Sequence, residues 1–183
     1  SVGPVMGGTR VIITGEGFLA ATTVHCRFGG EEGKLVARRL SAAQLECVTP
    51  TSTGVGARRL EISLNGQQFS QSSKMYTYLP VIVVSALVPS RGSADGSMPI
   101  TVHGSGFSSK EEAIRLLRCR FNATLARAVF VNEQTIVCNA TSSAIGYVTL
   151  EVSTNAQDYS SSHVIFEAVS VAVTKLTPWL GPE

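Results

Sequence analysis

Apolar and polar residues alternate along this chain in short runs, most of which end at glycine, asparagine or proline. Alternation of this kind places every second side chain on one face, which is typical of strands with one buried face. The pattern therefore predicts an all-β protein. The predicted strands are at residues 10–14, 24–28, 34–40, 44–48, 59–64, 76–78, 99–103, 117–121, 126–132, 135–139, 147–153 and 164–166.

These runs form two copies of one pattern, about 90 residues apart. Gly-x-Gly-Phe at 15–18 returns at 104–107, and Cys-Arg-Phe, a second cysteine and Leu-Glu-[Ile/Val]-Ser follow it each time. A unit of roughly 90 residues can enclose its own core, unlike solenoid repeats of about 20 to 50 residues. We expect two autonomous domains, module one (1–79) and module two (80–168), with short linkers around residues 79–80 and 167–168.

Residues 169–183 parallel the start of module two and predict a third repeat or a linker. Module one begins at Gly3-Pro4 without a counterpart of the apolar run at 81–88, so its first strand is expected to be missing. We therefore expect the chain to be a segment of a longer array.

Turn signals separate the predicted strands. Phe18 and Phe107, each after a glycine turn, are expected to close the end of a core. Asn65-Gly66 predicts a two-residue hairpin, and Asn155-Ala156 is its weaker counterpart. Only module two carries residues 108–118, where Ser108 or Ser109 is a candidate N-cap of a short helical turn. This insertion is expected to be a solvated loop or a partner contact.

The composition excludes several classes of protein. Charged residues make up 15% and hydrophobic residues 44%, which is the profile of a globular β protein and not of a disordered one. The net charge of +2 gives no basic face of the kind that nucleic-acid binders carry. No apolar run approaches the roughly 18 residues of a membrane helix. Paired acids, a nucleophile elbow and a phosphate-binding glycine loop are all missing, so neither an enzyme nor a cofactor is predicted.

The cysteines fall two in each module, and pairing within each module is the natural solution. The predicted disulfides join Cys26 to Cys47 and Cys119 to Cys138. Such bonds require an oxidising compartment; two pairs of reduced, buried thiols are the alternative. A zinc site is disfavoured because no two cysteines lie two to four residues apart and the histidines show no ligand spacing. No metal is therefore predicted.

Two glycosylation sequons lie next to the cysteine motifs of module two, at Asn122-Ala-Thr and Asn139-Ala-Thr. Together with the predicted disulfides, they indicate an extracellular location. Glycans there would keep that end of module two hydrated. The candidate protein-binding surface lies on module one, at its unglycosylated end. Its residues are Arg38, Arg39, Arg58 and Arg59, and an ordinary solvent-exposed surface is the alternative.

Module one carries a series of motifs that resembles a known family. They are Gly-Pro-x-x-Gly-Gly-Thr from Gly3, then Gly-x-Gly-Phe, Cys-x-Phe-Gly from Cys26, Cys-x-Thr-Pro from Cys47 and Tyr-x-Tyr from Tyr76. This series resembles an IPT/TIG domain, and the resemblance covers residues 3–167. Module two departs from it at 93–97 and at the two sequons. The resemblance implies tandem immunoglobulin-like β-sandwiches, as in the stalks of plexins and fibrocystin-like surface proteins.

The resemblance and the residues together predict a non-catalytic extracellular spacer and protein-binding segment of a cell-surface adhesion or recognition protein. Its partner is expected to be a protein, including another copy of itself, and its contact with a membrane is expected only through other parts of the parent protein. The alternatives are an intracellular Rel-like DNA-binding TIG domain, which requires reduced cysteines, and an accessory module of a carbohydrate-active enzyme.

Overall fold

The computed structural model describes residues 1–29, 34–94, 98–140, 145–175 and 177. Within these residues module one has seven strands in the order β1-β7-β6-β3-β4-β5-β2, and only β1 and β7 pair in parallel. The strands are β1 Val2–Pro4, β2 Arg10–Thr14, β3 Val24–Phe28, β4 Leu35–Arg39, β5 Gln44–Val48, β6 Gly56–Ser63 and β7 Met75–Leu79. A 3-10 turn, Phe18–Ala20, follows β2.

Module two repeats this arrangement and adds one strand. Its described elements are β8 Val83–Val88, β9 Arg91–Ser93, β10 Met98–Ser105, α1 Glu111–Leu116, β11 Arg118–Phe121, β12 Thr124–Asn132, β13 Thr135–Ala140, β14 Gly146–Ser153 and β15 Val164–Val169. The order is β8-β10-β13-β12-β11-β14-β15-β9. The added strand, β8, pairs with β10, whereas β2, the equivalent of β10, ends the order in module one.

One strand in each module connects two layers. In β4, Ala37 lies opposite Val24 of β3, and the next residue, Arg38, lies opposite Glu46 of β5. β12 changes partner in the same way, from β11 to β13. A strand that changes partners midway folds two sheets face to face into a sandwich. The predicted fold class, all-β tandem immunoglobulin-like sandwiches, is confirmed.

Each sandwich encloses its own core, because alternate residues of its strands point inward. One buried cluster contains Val24, Leu45 and Tyr76 among others, and a separate cluster contains Ile100, Phe121 and Phe166 among others. Among the described residues, these two large cores are therefore separate from each other.

The glycine turns have the predicted role. Gly17 and Gly106 take φ angles of 78° and 83°, in the left-handed region that favours glycine. Phe18 and Phe107 follow them and are buried in the two cores.

The two expected two-residue hairpins are wrong. β6 ends at Ser63 and β7 begins at Met75, so the connection is longer, and the connection between β14 and β15 is similar. The reason is the asparagine side chain: Asn65 Oδ1 accepts hydrogen bonds from the backbone N–H groups of Gln67 and Gln68, at 2.9 and 3.0 Å. This local turn redirects the chain before the returning strand starts.

Two further expectations need correction. Helix α1 begins at Glu111 with Lys110 at the N-cap, and no side chain caps it, so neither Ser108 nor Ser109 is the N-cap. The segment 167–168 is not a linker but part of β15, because Ala168 is buried and pairs with Gly92 of β9.

The predicted start of a third repeat lies largely outside the described residues, which include neither 176 nor 178–183. Residues 170–175 and 177 are described, and they form neither helix nor strand.

Candidate functional site at the junction of the two modules

The connection between β14 and β15 begins with a tight turn, the module-two turn (residues 155–158). Asn155 Oδ1 accepts hydrogen bonds from Ser153 Oγ at 3.1 Å, from Gln157 N at 2.9 Å and from Asp158 N at 2.8 Å. Ala156 takes a φ of 59° to make the bend. The asparagine thus fixes the turn from within and directs the side chains of Gln157 and Asp158 outward.

Those two side chains bind module one. The Gln157 amide pairs with the backbone of Arg10: Arg10 N–H donates to Oε1 at 3.1 Å, and Nε2 donates to Arg10 O at 3.0 Å. Thr9 Oγ1 donates to Asp158 Oδ2 at 2.6 Å, a distance typical of a charge-assisted hydrogen bond. Asn155 Nδ2 donates to the same carboxylate oxygen at 2.6 Å. Hydrogen bonds between groups about 150 positions apart in sequence therefore join the modules.

An apolar contact adds to these hydrogen bonds. Ala113 of α1 is fully buried and forms one cluster with Val2 and Leu79 of module one. The insertion is therefore not simply a solvated loop: one face of its short helix packs against the neighbouring module.

The linker is held by the glycine turn of module two. A Cβ atom on Gly104 would lie 2.2 Å from Val83 O, and one on Gly106 would lie 2.4 Å from Val81 O, both too close for any real contact. Only glycine at these positions lets the backbones approach so closely. The segment that follows the predicted linker, from Val81 to the start of β8 at Val83, thus lies directly against the glycine turn of module two.

Gly3 has the same role on the other side of the junction. A Cβ atom there would lie 2.1 Å from the Tyr76 hydroxyl oxygen, 2.4 Å from Thr9 Oγ1 and 3.1 Å from Asn155 Nδ2. The first strand of module one therefore needs glycine both for its own packing and for the contact with the module-two turn.

Open crevices flank these contacts. One crevice, of about 430 Å³, has Met6 and Val81 on one side. Tyr159, which follows the module-two turn, is on the other side. The other, of about 580 Å³, lies between Val55 and Gly56 of module one and residues 105–110. The junction thus consists of a few specific contacts with solvent-accessible space on both sides, and not of one continuous apolar interface.

Comparison with known proteins identifies the family. The sequence model of the IPT/TIG domain matches residues 1–78 and again residues 82–168. The chain belongs to the IPT/TIG domain family. It is 33% identical to human fibrocystin-L over 120 residues, which is 63% of this chain and 3% of that protein. It is 28% identical to human plexin-A3 over 141 residues, which is 76% of this chain and 7% of that protein.

The relatives are therefore much longer proteins, of which the chain spans only a small part. Among solved structures, the full extracellular region of plexin A4, domains 1 to 10, matches with a TM-score of 0.57. The match covers 97% of this chain and 16% of that one at 20% sequence identity, which shows the shared fold.

Both predicted disulfides are present in the two IPT/TIG modules. Cys26 of β3 is bonded to Cys47 of β5, and Cys119 of β11 is bonded to Cys138 of β13, so each bond links the two layers of its sandwich. The disulfides and the plexin relatives point to an extracellular or cell-surface location, as predicted. They also disfavour the intracellular DNA-binding alternative, which required reduced cysteines.

The four candidate arginines do not form one surface. Arg38 and Arg39 follow Ala37, which pairs with Val24 at the first residue of β3. Arg58 and Arg59 precede Leu60, which pairs with Phe28 at the last residue of β3, so the two pairs lie at opposite ends of this strand. The contacts of three of these arginines also differ. Arg38 binds both carboxylate oxygens of Glu46 at 3.0 Å, Arg39 donates to Ala21 O, and Arg58 covers Gly29.

Charge and burial shift the pKa of a few groups. The hydrogen bonds from Arg38 lower the pKa of Glu46. Burial, and secondly the neighbouring Tyr76, raises the pKa of Tyr78 to about 12, and the Tyr78 hydroxyl donates to Pro50 O at 3.0 Å. These groups support module one structurally and do not form a reactive pair.

Both sequon asparagines are exposed. Asn122 starts the turn between β11 and β12 with a φ of 51°, and its Oδ1 accepts hydrogen bonds from Thr149 N and Oγ1. Asn139 lies on β13, which begins next to Gln134 at the junction and runs away from it. Their occupancy stays a prediction. Thr141, the third residue of the second sequon, lies outside the described residues.

The part of the chain that the structure describes holds neither a candidate metal site nor a helix that could span a membrane. No cluster of three or more histidine, cysteine or acidic side chains could hold a metal ion there. No helix in the same residues is long and apolar enough to cross a bilayer.

Sequence reasoning missed the junction residues. The sequence pattern identifies Asn155 only as a turn former, and Thr9, Gln157 and Asp158 carry no signal on their own. One signal was available: glutamine stands two residues after the turn asparagine in both modules, at Gln67 and Gln157.

Proposed function

We propose that this chain is a non-catalytic, extracellular spacer and protein-binding segment of a cell-surface adhesion or recognition protein. The observation that carries the proposal is the junction. A spacer holds a distant binding site in place only if consecutive modules keep a fixed angle. Here specific hydrogen bonds, an apolar contact and a linker seated on glycines all act against bending.

The strength of these contacts supports a docked junction. A neutral hydrogen bond contributes about 0.5–1.5 kcal/mol and a bond to a charged group about 1.5–3 kcal/mol. The Gln157 pair and the Thr9–Asp158 bond together therefore favour docking by a few kcal/mol. Because the linker already holds the modules together, no separate encounter between them is needed. The docked arrangement is accordingly the main state in solution.

The sequons fit this function. Asn122 and Asn139 lie on module two away from the junction, so glycans there would hydrate the surface without interfering with the contact between modules. We include N-linked glycans at both asparagines in the proposal. Intact mass before and after glycosidase treatment of secreted protein tests it: unmodified material from a eukaryotic host would contradict the glycosylation.

A protein partner is the class of ligand that we propose, with a second copy of the same segment included. The four candidate arginines then belong to two separate contact surfaces. Arg38 and Arg39 lie on the first surface, and Arg58 and Arg59 lie on the second. Charge reversal of one pair at a time, with binding to candidate partners as the measurement, distinguishes the two surfaces.

The spacer function is tested by the distance between the modules. Val36 and Tyr147 are both well exposed, one on each module, so cysteines placed there with spin labels report their separation. A fixed junction gives one narrow distance distribution by pulsed electron paramagnetic resonance. A broad distribution, as for two domains on a flexible tether, would contradict the proposal.

A further inference from the structure

Module one carries a turn built in the same way as the one that docks module two. In this module-one turn (residues 65–68), Asn65 Oδ1 accepts from Ser63 Oγ at 3.1 Å and from the backbone N–H groups of Gln67 and Gln68. Asn65 Nδ2 donates to the Gln68 side chain, as Asn155 Nδ2 does to Asp158. Gly66 has a φ of 71°, close to the 59° of Ala156.

The support beneath the two turns is equivalent as well. The guanidinium of Arg27 lies 4.0 Å from the centre of the Phe69 ring, and that of Arg120 lies 4.2 Å from the Tyr159 ring. In both modules a serine hydroxyl bonds the strand that leads into the turn: Ser70 Oγ accepts from Ile62 N, and Ser160 Oγ accepts from Val152 N. The two turns therefore share one framework, and each carries a glutamine at the equivalent position, Gln67 and Gln157.

The turns differ in what covers them. Thr154 and Asn155 are only 5% and 7% exposed, in a turn that module one contacts, whereas the equivalent Leu64 is 41% exposed and Asn65 is also exposed. Module one thus presents a large apolar side chain at a position that is buried in module two. A single exposed leucine is common on protein surfaces, so the argument rests on its position: the equivalent residue of module two, Thr154, is buried in the turn that module one contacts.

We propose that the module-one turn is a docking surface for another IPT/TIG-type module, which lies against it as module one lies against the module-two turn. The inference rests on the proposed spacer function, because it extends the same junction by one step. The junction between the two modules supplies the geometry, and the module-one turn supplies the same asparagine and glutamine, with Gln68 in place of Asp158.

The chemistry of the turn defines the partner. The Gln157 side chain binds the backbone N–H and C=O groups of Arg10, the first residue of β2. Gln67 therefore needs no particular side chain on the partner module, only a free backbone N–H and C=O at the start of that module's equivalent of β2. Gln68 stands in place of Asp158 and can donate as well as accept. The partner therefore does not need a hydroxyl group at the position of Thr9.

One requirement excludes some modules. Pro99 takes the place of Arg10 in module two, since Ile100 pairs with Cys138 as Val11 pairs with Cys47. Proline has no backbone N–H to donate to a glutamine, and the sequon residue Asn139 lies directly opposite. A module resembling module one is therefore a suitable partner, and one resembling module two is not.

The test is a three-module chain in which residues 1–90 precede the whole chain from Val2 onward. Strand β9 of module two is the equivalent of β1, so this fusion keeps the natural spacing between modules. Leu64→Cys in the downstream copy of module one then reports docking through its rate of alkylation. Two reference rates come from the two-module chain: Leu64→Cys, expected to be fast, and Thr154→Cys, expected to be slow.

We expect Leu64→Cys to react roughly tenfold more slowly in the three-module chain than in the two-module chain, which corresponds to about ten docked molecules for each open one. Gln67→Ala in the same copy should restore most of the rate. In a control chain, only residues 80–90, which contain β8, precede the whole chain from Val2 onward. This control separates the effect of the added strand from the effect of the added module, and the alkylation rate of Leu64→Cys should stay fast in it.

The outcomes separate the two proposals. If Thr154→Cys reacts as fast as Leu64→Cys in the two-module chain, the existing junction is open and the spacer function itself fails. If Thr154→Cys is slow but Leu64→Cys stays fast in the three-module chain, only the further inference fails. Slowing by the added strand alone would show that the strand, and not a module, covers Leu64, and would also overturn the inference.

Discussion

Replacing Gln157 by alanine tests the junction at its most specific contact. The side-chain amide makes two hydrogen bonds with the backbone of Arg10, and the methyl side chain of alanine can make neither of them. The substitution leaves the turn intact, because the turn is fixed by Asn155 Oδ1 and by the backbone N–H of residue 157, which alanine retains. Its effect should therefore fall on docking and not on folding.

The size of the effect follows from the two bonds. Each neutral hydrogen bond contributes about 0.5–1.5 kcal/mol, so the pair contributes about 2 kcal/mol. A loss of about 2 kcal/mol raises the equilibrium constant for opening the junction roughly 30-fold. The Thr9–Asp158 bond and the Ala113 contact remain, so the opened state becomes more populated without becoming the only state.

Amide hydrogen exchange provides the assay. Arg10 N–H donates across the junction to Gln157, so its exchange rate reports opening directly. Gln157→Ala removes the acceptor of this N–H and also weakens the junction, so we expect exchange at Arg10 to accelerate by at least about 30-fold under conditions where closing is faster than exchange. Gln67→Ala is the matched control, because it removes the same residue from the equivalent exposed turn, and it should leave Arg10 unchanged. Equal acceleration by both variants, or an Arg10 amide that is unprotected in the natural chain, would refute the reasoning.

Three further predictions concern module one. Gly3→Ala should destabilise module one by about 2 kcal/mol in denaturant unfolding, because the added methyl group overlaps buried neighbours. Gly54→Ala is the control and should be nearly neutral, because a Cβ atom there lies in open space. Equal effects of the two substitutions would show that the crowding at Gly3 is absent. Replacing Cys26 and Cys47 together by alanine should cost about 3 kcal/mol of unfolding free energy through lost loop closure, and an unchanged midpoint would contradict this. The raised pKa of Tyr78 predicts that the contribution of this group to stability is complete below pH ~10, the usual tyrosine pKa. Between pH ~10 and a pH of about 12, the free energy of unfolding should fall by about 1.4 kcal/mol per pH unit. Tyr78→Phe should remove this slope, and a slope that persists in the variant would assign it to other groups.

The cores and disulfides could be predicted from the sequence because they depend on local alternation and on a repeated spacing. Val24, Cys26 and Phe28 alternate with polar residues, so their burial follows from strand geometry alone. The repeat then places each cysteine pair within one module. Such features survive small errors in strand boundaries.

The junction could not be predicted in this way. The bond between Thr9 and Asp158 joins segments 149 positions apart, and its existence depends on the angle between two domains, which no local pattern encodes. The insertion illustrates the same limit. Alanine at position 113 is compatible with a solvated helix, and only the neighbouring module explains why it is buried.

The most direct test of the fixed angle is nuclear magnetic resonance in a weakly aligning medium. Residual dipolar couplings from the described strands of each module give one alignment tensor for each module. The two tensors should agree in magnitude and orientation when the arrangement of the structure is used, because a docked pair aligns as one body. Tensors of clearly different magnitude would show that the modules reorient independently, and the spacer account would then be wrong.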